Sequence, residues 1–117
     1  PSLLLGATEL SPLQVAQAYQ YLAADGHLVA LNGVRAVIDP QGRPLSRYSN
    51  PQSAGDLVQA ARLVTYALQE AARSGTASAL VGLGHGDLEA AGKTGTSDDK
   101  RDSWFAGYTG SHLAVVW

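Results

Sequence analysis

Three short runs of strand-forming residues follow one another in the last third of the chain, and they constrain the fold more than any other feature. The runs cover residues 88–96, 104–109 and 113–117. A charged loop at 97–102 joins the first two runs, and the last two are closer still. Such short loops join antiparallel neighbours, because a parallel pair needs a crossover of about a dozen residues or more. The sequence therefore predicts a three-stranded antiparallel sheet with the first strand beside the second.

Residues 11–25 carry the signals of an amphipathic helix. Ser11 suits the N-cap, Pro12 suits the first helical position, and Gln14 lies where a capping box requires it. Apolar side chains then recur at helical spacing. Gly26 follows the last turn, where a left-handed residue commonly ends a helix. We expect this helix to pack on the core through one face.

A hairpin and a second helix are predicted between the first helix and the sheet. Residues 33–48 have the pattern of a hairpin, and residues 56–73 have the pattern of a helix. The buried stripe predicted for that helix consists of Leu57, Ala61, Val64, Leu68 and Ala71. Residues 77–86 are small, apolar and rich in glycine, so we expect a connector with little fixed structure. This order predicts an α+β fold with helices packed on an antiparallel sheet.

Composition excludes several classes of function. The chain has 117 residues, a net charge of −2 and no cysteine. It therefore has no basic surface for nucleic acid, no disulfide framework and no thiolate nucleophile. The three histidines, at 27, 85 and 112, lack the spacing of metal ligands. We predict neither a metal site nor a cofactor.

The candidate site lies on the first predicted strand, at residues 92–96. Lys93 stands between glycines, and the hydroxyls of Thr94 and Thr96 lie beside it. A cation, two hydroxyls and backbone N–H groups in so short a stretch form an edge that binds anions and carbonyl oxygens. A phosphate-binding loop is excluded, because Asp87 stands where its first glycine is required and residues 94–99 are a poor helix interior.

Lys-Thr-Gly on a strand is the third signature motif of the penicillin-binding proteins and serine β-lactamases. The resemblance runs over nearly the whole chain, through residues 11–19, the Asp25-Gly26 turn, the Gly75-Thr76 pair, residues 91–96 and residues 102–108. In these features the chain resembles the C-terminal part of the transpeptidase domain of bifunctional, class A penicillin-binding proteins. The resemblance implies a partial serine β-lactamase/penicillin-binding transpeptidase fold, with residues 1–117 as a C-terminal fragment of one domain.

The same resemblance implies peptidoglycan crosslinking by D-Ala-D-Ala transpeptidation through a serine acyl-enzyme, together with penicillin binding. The implied partners are peptidoglycan stem peptides, β-lactams and the remaining upstream part of the same protein, with no nucleic acid and no cofactor. The implied parent carries a glycosyltransferase domain and a membrane anchor, and it works at the outer face of the cytoplasmic membrane, on the periplasmic side.

Two of the three motifs of that family are missing from their expected places. No Ser-x-Asn occurs in the chain, and the Ser-x-x-Lys spelling at 97–100 follows the Lys-Thr-Gly strand and lies in a charged loop. We interpret that spelling as a chance match, because its serine lacks a buried lysine base. The nucleophile and its base are therefore expected upstream of Pro1, and the isolated chain is expected to be inactive.

The resemblance assigns roles to residues of the Lys-Thr-Gly-Thr strand. Lys93 supplies positive potential, and the Thr94 and Thr96 hydroxyls bind the terminal carboxylate of the donor. Gly95 lets the substrate approach the strand. The Thr96 backbone N–H is one of two oxyanion-hole donors. Trp104 and Phe105 are interpreted as packing residues.

Two alternatives remain open from the sequence. The first is a β-lactam-binding sensor or a hydrolytic relative of the same fold, which would share the Lys-Thr-Gly strand. The second is an interaction module without catalysis. Stability distinguishes the second alternative, because an independent module folds alone, whereas a fragment that ends within a strand does not.

Overall fold

A computed structural model describes residues 9–53, 55–97 and 101–117 of the chain. The elements in chain order are α1 (Pro12–Ala23), β1 (Ala36–Ile38), β2 (Pro44–Arg47), α2 (Val58–Ser74), α3 (Ala79–Gly82), a 3-10 turn (Gly86–Leu88), β3 (Ala91–Thr96), β4 (Ser103–Tyr108) and β5 (Leu113–Val116). The predicted class, helices with antiparallel sheets, is confirmed.

The last three strands form one antiparallel sheet in the order β3-β4-β5. In its register Lys93 lies opposite Ala106, and Thr96 lies opposite Ser103. On the other side of β4, Gly107 lies opposite Ala114. The prediction that the first strand lies beside the second is confirmed.

Helix α1 begins as the sequence predicts. The Ser11 hydroxyl accepts a hydrogen bond from the Gln14 backbone N–H, and the Gln14 side chain accepts one from the Ser11 backbone N–H. The chain leaves the helix through two left-handed residues, Asp25 with φ 52° and Gly26 with φ 81°. The Gly26 N–H donates to the Tyr21 carbonyl at 2.8 Å, which closes the last turn.

The buried stripe predicted for α2 is wrong in part. Leu57 and Val64 are 59% and 44% exposed, whereas Ala61 and Ala72 are buried. The buried line runs through Ala61 and Thr65 toward Ala72, in steps that follow the helical period. Thr65 faces the sheet, where its hydroxyl bonds to Tyr108, and Val64, one residue earlier on the helix, is therefore on the exposed side.

The segment before β3 also differs from the prediction. The sequence predicts a connector with little fixed structure over residues 77–86, yet α3 lies within them and the 3-10 turn follows. The strand was predicted from residue 88 but begins at Ala91. Glu89 has a left-handed φ of 46°, which breaks the extended conformation just before β3.

Strands β1 and β2 form a separate two-stranded sheet. All of their residues are exposed. In the connecting turn the Asp39 carboxylate accepts hydrogen bonds from the backbone N–H groups of Gln41 and Arg43, at 3.0 and 2.8 Å. These bonds, with Arg43 beside the carboxylate, lower the pKa of Asp39. The hairpin is thus stabilised at its own turn.

Helices α1 and α2 cover one face of the β3-β4-β5 sheet, and the core lies between these two layers. Tyr108 of β4 is at its centre, with its ring 6.3 Å from the ring of Tyr19 in an edge-to-face arrangement. Its hydroxyl lies 2.6 Å from the Thr65 hydroxyl of α2. Burial raises the pKa of Tyr108 above its usual value. The covered face of the sheet includes Ala91 and Ala106, both buried.

Candidate active site

Strand β3, which carries the Lys-Thr-Gly-Thr stretch, is an edge strand. It pairs with β4 on one side. Within the ranges that the structure describes, no strand pairs with its other side. We refer to this unpaired side of β3 as the open edge. Unpaired N–H and C=O groups along such an edge are available to another extended chain.

The ladder determines which backbone groups point to the open edge. The Ser97 N–H donates to the Asp102 carbonyl at 3.1 Å, in continuation of the β3–β4 register. In an antiparallel pair, successive residues direct their N–H and C=O alternately toward and away from the partner strand. The N–H groups of Thr96, Thr94 and Gly92 therefore point to the open edge. The N–H groups of Thr94 and Thr96 belong to residues of the predicted site.

The Lys93 ammonium reaches the same edge. The Lys93 side chain is exposed and starts from the face that the helices cover, as the alternation of side chains along the strand requires. Its Nζ donates a hydrogen bond to the Thr94 carbonyl oxygen at 2.7 Å. Because that carbonyl points to the open edge, the positive charge lies beside the N–H groups of β3.

The two threonine side chains lie on the opposite face of the sheet from Lys93. Thr94 is half-buried and Thr96 is exposed. The structure thus brings the predicted residues to one edge, with the cation on one face of the strand and the hydroxyls on the other. A ligand that contacts all three must lie along the edge itself.

Gly95 is exposed, and a Cβ built on it would lie 3.4 Å from the Trp104 Cβ, an ordinary contact. The sheet therefore has room for a side chain at this position. The absence of one leaves the backbone accessible from that face, as the sequence predicts.

Two further glycines support the strand in a way that the sequence analysis missed. Gly92 and Gly107 lie opposite each other, and the Phe105 ring covers both. A Cβ on Gly92 would lie 3.0 Å from the Phe105 ring, and one on Gly107 would lie 2.8 Å from it. The interpretation of Phe105 as a packing residue agrees with this contact. The sequence signal was the pair of glycines at opposed positions of the predicted strands.

The turn after β3 is closed by residues at its two ends. The Ser97 hydroxyl accepts a hydrogen bond from the Asp102 N–H at 2.8 Å. The Asp102 carboxylate accepts one from the Trp117 indole N–H, also at 2.8 Å. The Trp117 ring packs at 6.1 Å from that of Trp104. Residues 98–100, which complete the Ser-x-x-Lys spelling, lie outside the described residues.

Two cavities lie near the sheet. One, of about 360 Å³, is lined by the end of α2 and the residues around His85. The other, of about 450 Å³, lies between Trp104, Trp117 and the start of α1. In the described ranges, no three His, Asp or Glu side chains are arranged to hold a metal ion. No helix there is both long enough and apolar enough to cross a membrane.

Comparison with known proteins agrees with this geometry. Residues 3–116 match the penicillin binding protein transpeptidase domain family. The whole chain is 40% identical to part of penicillin-binding protein 1B of Escherichia coli, of which it spans 14%. It is also 40% identical to part of penicillin-binding protein 1B of Vibrio cholerae, of which it spans 15%. Over 99% of its length it is 34% identical to penicillin-binding protein 1A of Neisseria flavescens, of which it spans 15%.

Proposed function

The chain belongs to the penicillin-binding protein transpeptidase domain family, and we propose that the protein carrying it crosslinks peptidoglycan by D-Ala-D-Ala transpeptidation. In the proposed reaction a serine oxygen attacks the carbonyl of the D-Ala–D-Ala amide of a stem peptide. D-Alanine leaves, and an ester to the serine forms. An amine of a second stem peptide then takes the acyl group and frees the serine.

One observation carries this proposal: the open edge of β3 presents the Lys93 ammonium beside the backbone N–H groups of Thr94 and Thr96. An extended peptide can add to such an edge through main-chain hydrogen bonds. The Thr96 N–H is then a donor for the oxygen that becomes negative when the serine attacks. Removal of one such donor typically slows a reaction about 100- to 1000-fold.

Charge and hydroxyl groups on β3 support a proposed substrate that ends in a carboxylate. The Lys93 ammonium supplies positive potential at the edge, and the Thr94 and Thr96 hydroxyls donate to the terminal carboxylate. A β-lactam presents a carboxylate and a strained amide in a similar arrangement, so it enters the same site and acylates the serine. Gly95 leaves space for either ligand against the strand.

The nucleophile and its base belong to a part of the protein outside this chain. No Ser-x-Asn occurs here, and the Ser97 hydroxyl is engaged with the Asp102 N–H. The chain alone is therefore inert toward β-lactams. By similarity to the bifunctional family members, we place the full-length protein at the outer face of the cytoplasmic membrane, with an anchor and a glycosyltransferase domain.

The test is labelling of the full-length protein with a fluorescent penicillin, followed on a denaturing gel. We expect the full-length protein to label and the isolated 117-residue chain to stay dark. Lys93→Ala should label much more slowly. Arg47→Ala is the matched control, because Arg47 is an exposed cation on the hairpin, away from β3. Labelling of the isolated chain would overturn the assignment of the nucleophile.

Substrate turnover distinguishes transpeptidation from the alternatives. A transpeptidase releases D-alanine from a pentapeptide and forms a product that joins two stem peptides. Rapid loss of the penicillin label without that product indicates a hydrolytic relative. A long-lived label with no D-alanine release indicates a sensor.

A further inference from the structure

The turn between β3 and β4 is connected to the far strand of the sheet through Asp102. Its backbone carbonyl accepts from the Ser97 N–H at 3.1 Å, and its backbone N–H donates to the Ser97 hydroxyl at 2.8 Å. Its carboxylate accepts from the Trp117 indole N–H at 2.8 Å. Trp117 directly follows β5, so these bonds link the end of the edge strand to the opposite edge of the sheet.

We propose that Asp102 is a positioning residue for acyl transfer, which holds the Thr96 N–H in the direction required of an oxyanion donor. This inference rests on the proposed function. Asp102 itself touches no reacting atom and acts through the backbone of residues 96–97.

The argument begins with the freedom of Thr96. Thr96 is the last residue of β3, and its N–H points to the open edge, so no ladder bond restrains that group. Its direction depends on the peptide units on either side. Gly95 is held in the ladder opposite Trp104. On the other side, the bonds between Ser97 and Asp102 hold the chain as it leaves the strand.

The carboxylate of Asp102 connects the end of that turn to Trp117, the residue after β5. The Trp117 ring packs on Trp104, which is itself opposite Gly95. An indole N–H is a donor with no acceptor function, so its partner must be an acceptor such as a carboxylate or amide oxygen. Asp102 is half-buried, whereas Trp117 is exposed. Without the acceptor, the bond between Asp102 and the residue after β5 is lost.

The hairpin provides a matched control for a purely structural role. The Asp39 carboxylate also closes a turn between two strands, through bonds to the N–H groups of Gln41 and Arg43. It belongs to the separate two-stranded sheet. Asp39→Ala therefore removes a turn-closing carboxylate without affecting the open edge.

The experiment measures acylation of the full-length protein by a fluorescent penicillin over a range of concentrations, which separates the non-covalent affinity from the acylation rate constant. Misplacement of a reacting group by about 1 Å can cost about 100-fold in rate. For Asp102→Ala we expect the acylation rate constant to fall about tenfold, with the non-covalent affinity within about twofold of wild type. Trp117→Phe keeps an aromatic ring and removes the indole N–H donor. It should likewise lower the acylation rate constant and leave the non-covalent affinity nearly unchanged.

Asp102→Asn supplies the rescue, because an amide oxygen still accepts from the Trp117 indole, and its acylation rate constant should stay near wild type. Asp39→Ala should acylate at the wild-type rate. If Asp102→Ala does not fold, the acylation rate constant of Trp117→Phe tests the positioning role instead. Wild-type acylation by both Trp117→Phe and a folded Asp102→Ala would overturn the positioning role. If the wild-type protein itself takes no label, the proposed function fails instead.

Discussion

The hydroxyl of Tyr108 on β4 lies 2.6 Å from the hydroxyl of Thr65 on α2, and this pair joins the helical layer to the sheet. The Thr65 hydroxyl donates to the Ala61 carbonyl at 2.9 Å, so Tyr108 is the donor within the pair. The Lys-Thr-Gly-Thr strand is the neighbour of β4, so the pair joins α2 to the sheet that carries this strand.

The direction of that bond predicts unequal effects of two substitutions. Tyr108→Phe removes the donor and leaves Thr65 bonded to Ala61, so we expect a loss of about 1 kcal/mol in the free energy of unfolding. Thr65→Val leaves the buried Tyr108 hydroxyl without a partner and should cost about 1–3 kcal/mol. Denaturant unfolding of both variants in the full-length protein measures the difference. A larger loss for Tyr108→Phe would show that the assigned donor is wrong.

Two substitutions of Thr96 separate its backbone from its side chain. Proline is tolerated on an edge strand where the N–H faces solvent, so Thr96→Pro removes the proposed oxyanion donor and keeps the ladder. We expect penicillin acylation to slow by about 100- to 1000-fold. Thr96→Val keeps the N–H and loses the hydroxyl. It should mainly weaken non-covalent binding, by about tenfold or more, because a hydrogen bond to a charged group contributes about 1.5–3 kcal/mol. Equal acylation rate constants in the two variants would argue against a backbone role.

Two glycines of the sheet should respond differently to alanine. At Gly95 the new Cβ meets only the Trp104 Cβ at 3.4 Å, so Gly95→Ala should fold normally and acylate slowly. At Gly107 the new Cβ would lie 2.8 Å from the Phe105 ring and 3.0 Å from the Ala91 carbonyl oxygen. Gly107→Ala should lower the free energy of unfolding by about 1–3 kcal/mol through overpacking. Thermal unfolding and acylation rates, measured on both variants, test this contrast.

The link between α1 and α2 should depend on pH. The Arg62 guanidinium donates to the Asp25 carboxylate at 2.8 Å, and this hydrogen bond lowers the pKa of Asp25 below its usual 3.8. Because the folded-state pKa is depressed, the contribution to stability is present above pH 3.8 and disappears as the pH falls through the folded pKa. The difference in Tm between wild type and Arg62→Gln should therefore shrink as the pH is lowered from about 6 to 3. A constant difference would show that Arg62 stabilises the fold by another route.

Local signals in the sequence predicted the parts of the fold that depend on neighbours along the chain. The capping box at Ser11 and the left-handed Gly26 both involve groups only a few residues apart. The order of β3, β4 and β5 could be predicted in the same way, because short loops join these strands. The sequence also indicates Lys93, Thr94 and Thr96 as candidate site residues, because their chemistry is concentrated in one stretch.

The same reasoning could not predict contacts between residues that are far apart along the chain. Val64 fits an apolar stripe at least as well as Thr65 does, and only the Tyr108 hydroxyl, 43 residues away along the chain, explains why the Thr65 side chain faces inward. The bond between Asp102 and Trp117 joins the residue before β4 to the residue after β5. It becomes visible only when the register of these two neighbouring strands is known.

The open edge of β3 also bears on how the protein avoids unwanted association. An uncovered edge strand invites pairing with a strand of another molecule, and short length and lysine are common defences. β3 has six residues, and the Lys93 ammonium occupies the Thr94 carbonyl that an incoming strand would need as an acceptor. A ligand carboxylate attracts the ammonium more strongly than a backbone carbonyl does, so it can draw Lys93 away from Thr94, whereas the carbonyls of a neutral strand give no such advantage. We therefore expect Lys93 to favour charged ligands at this edge over strands of other molecules.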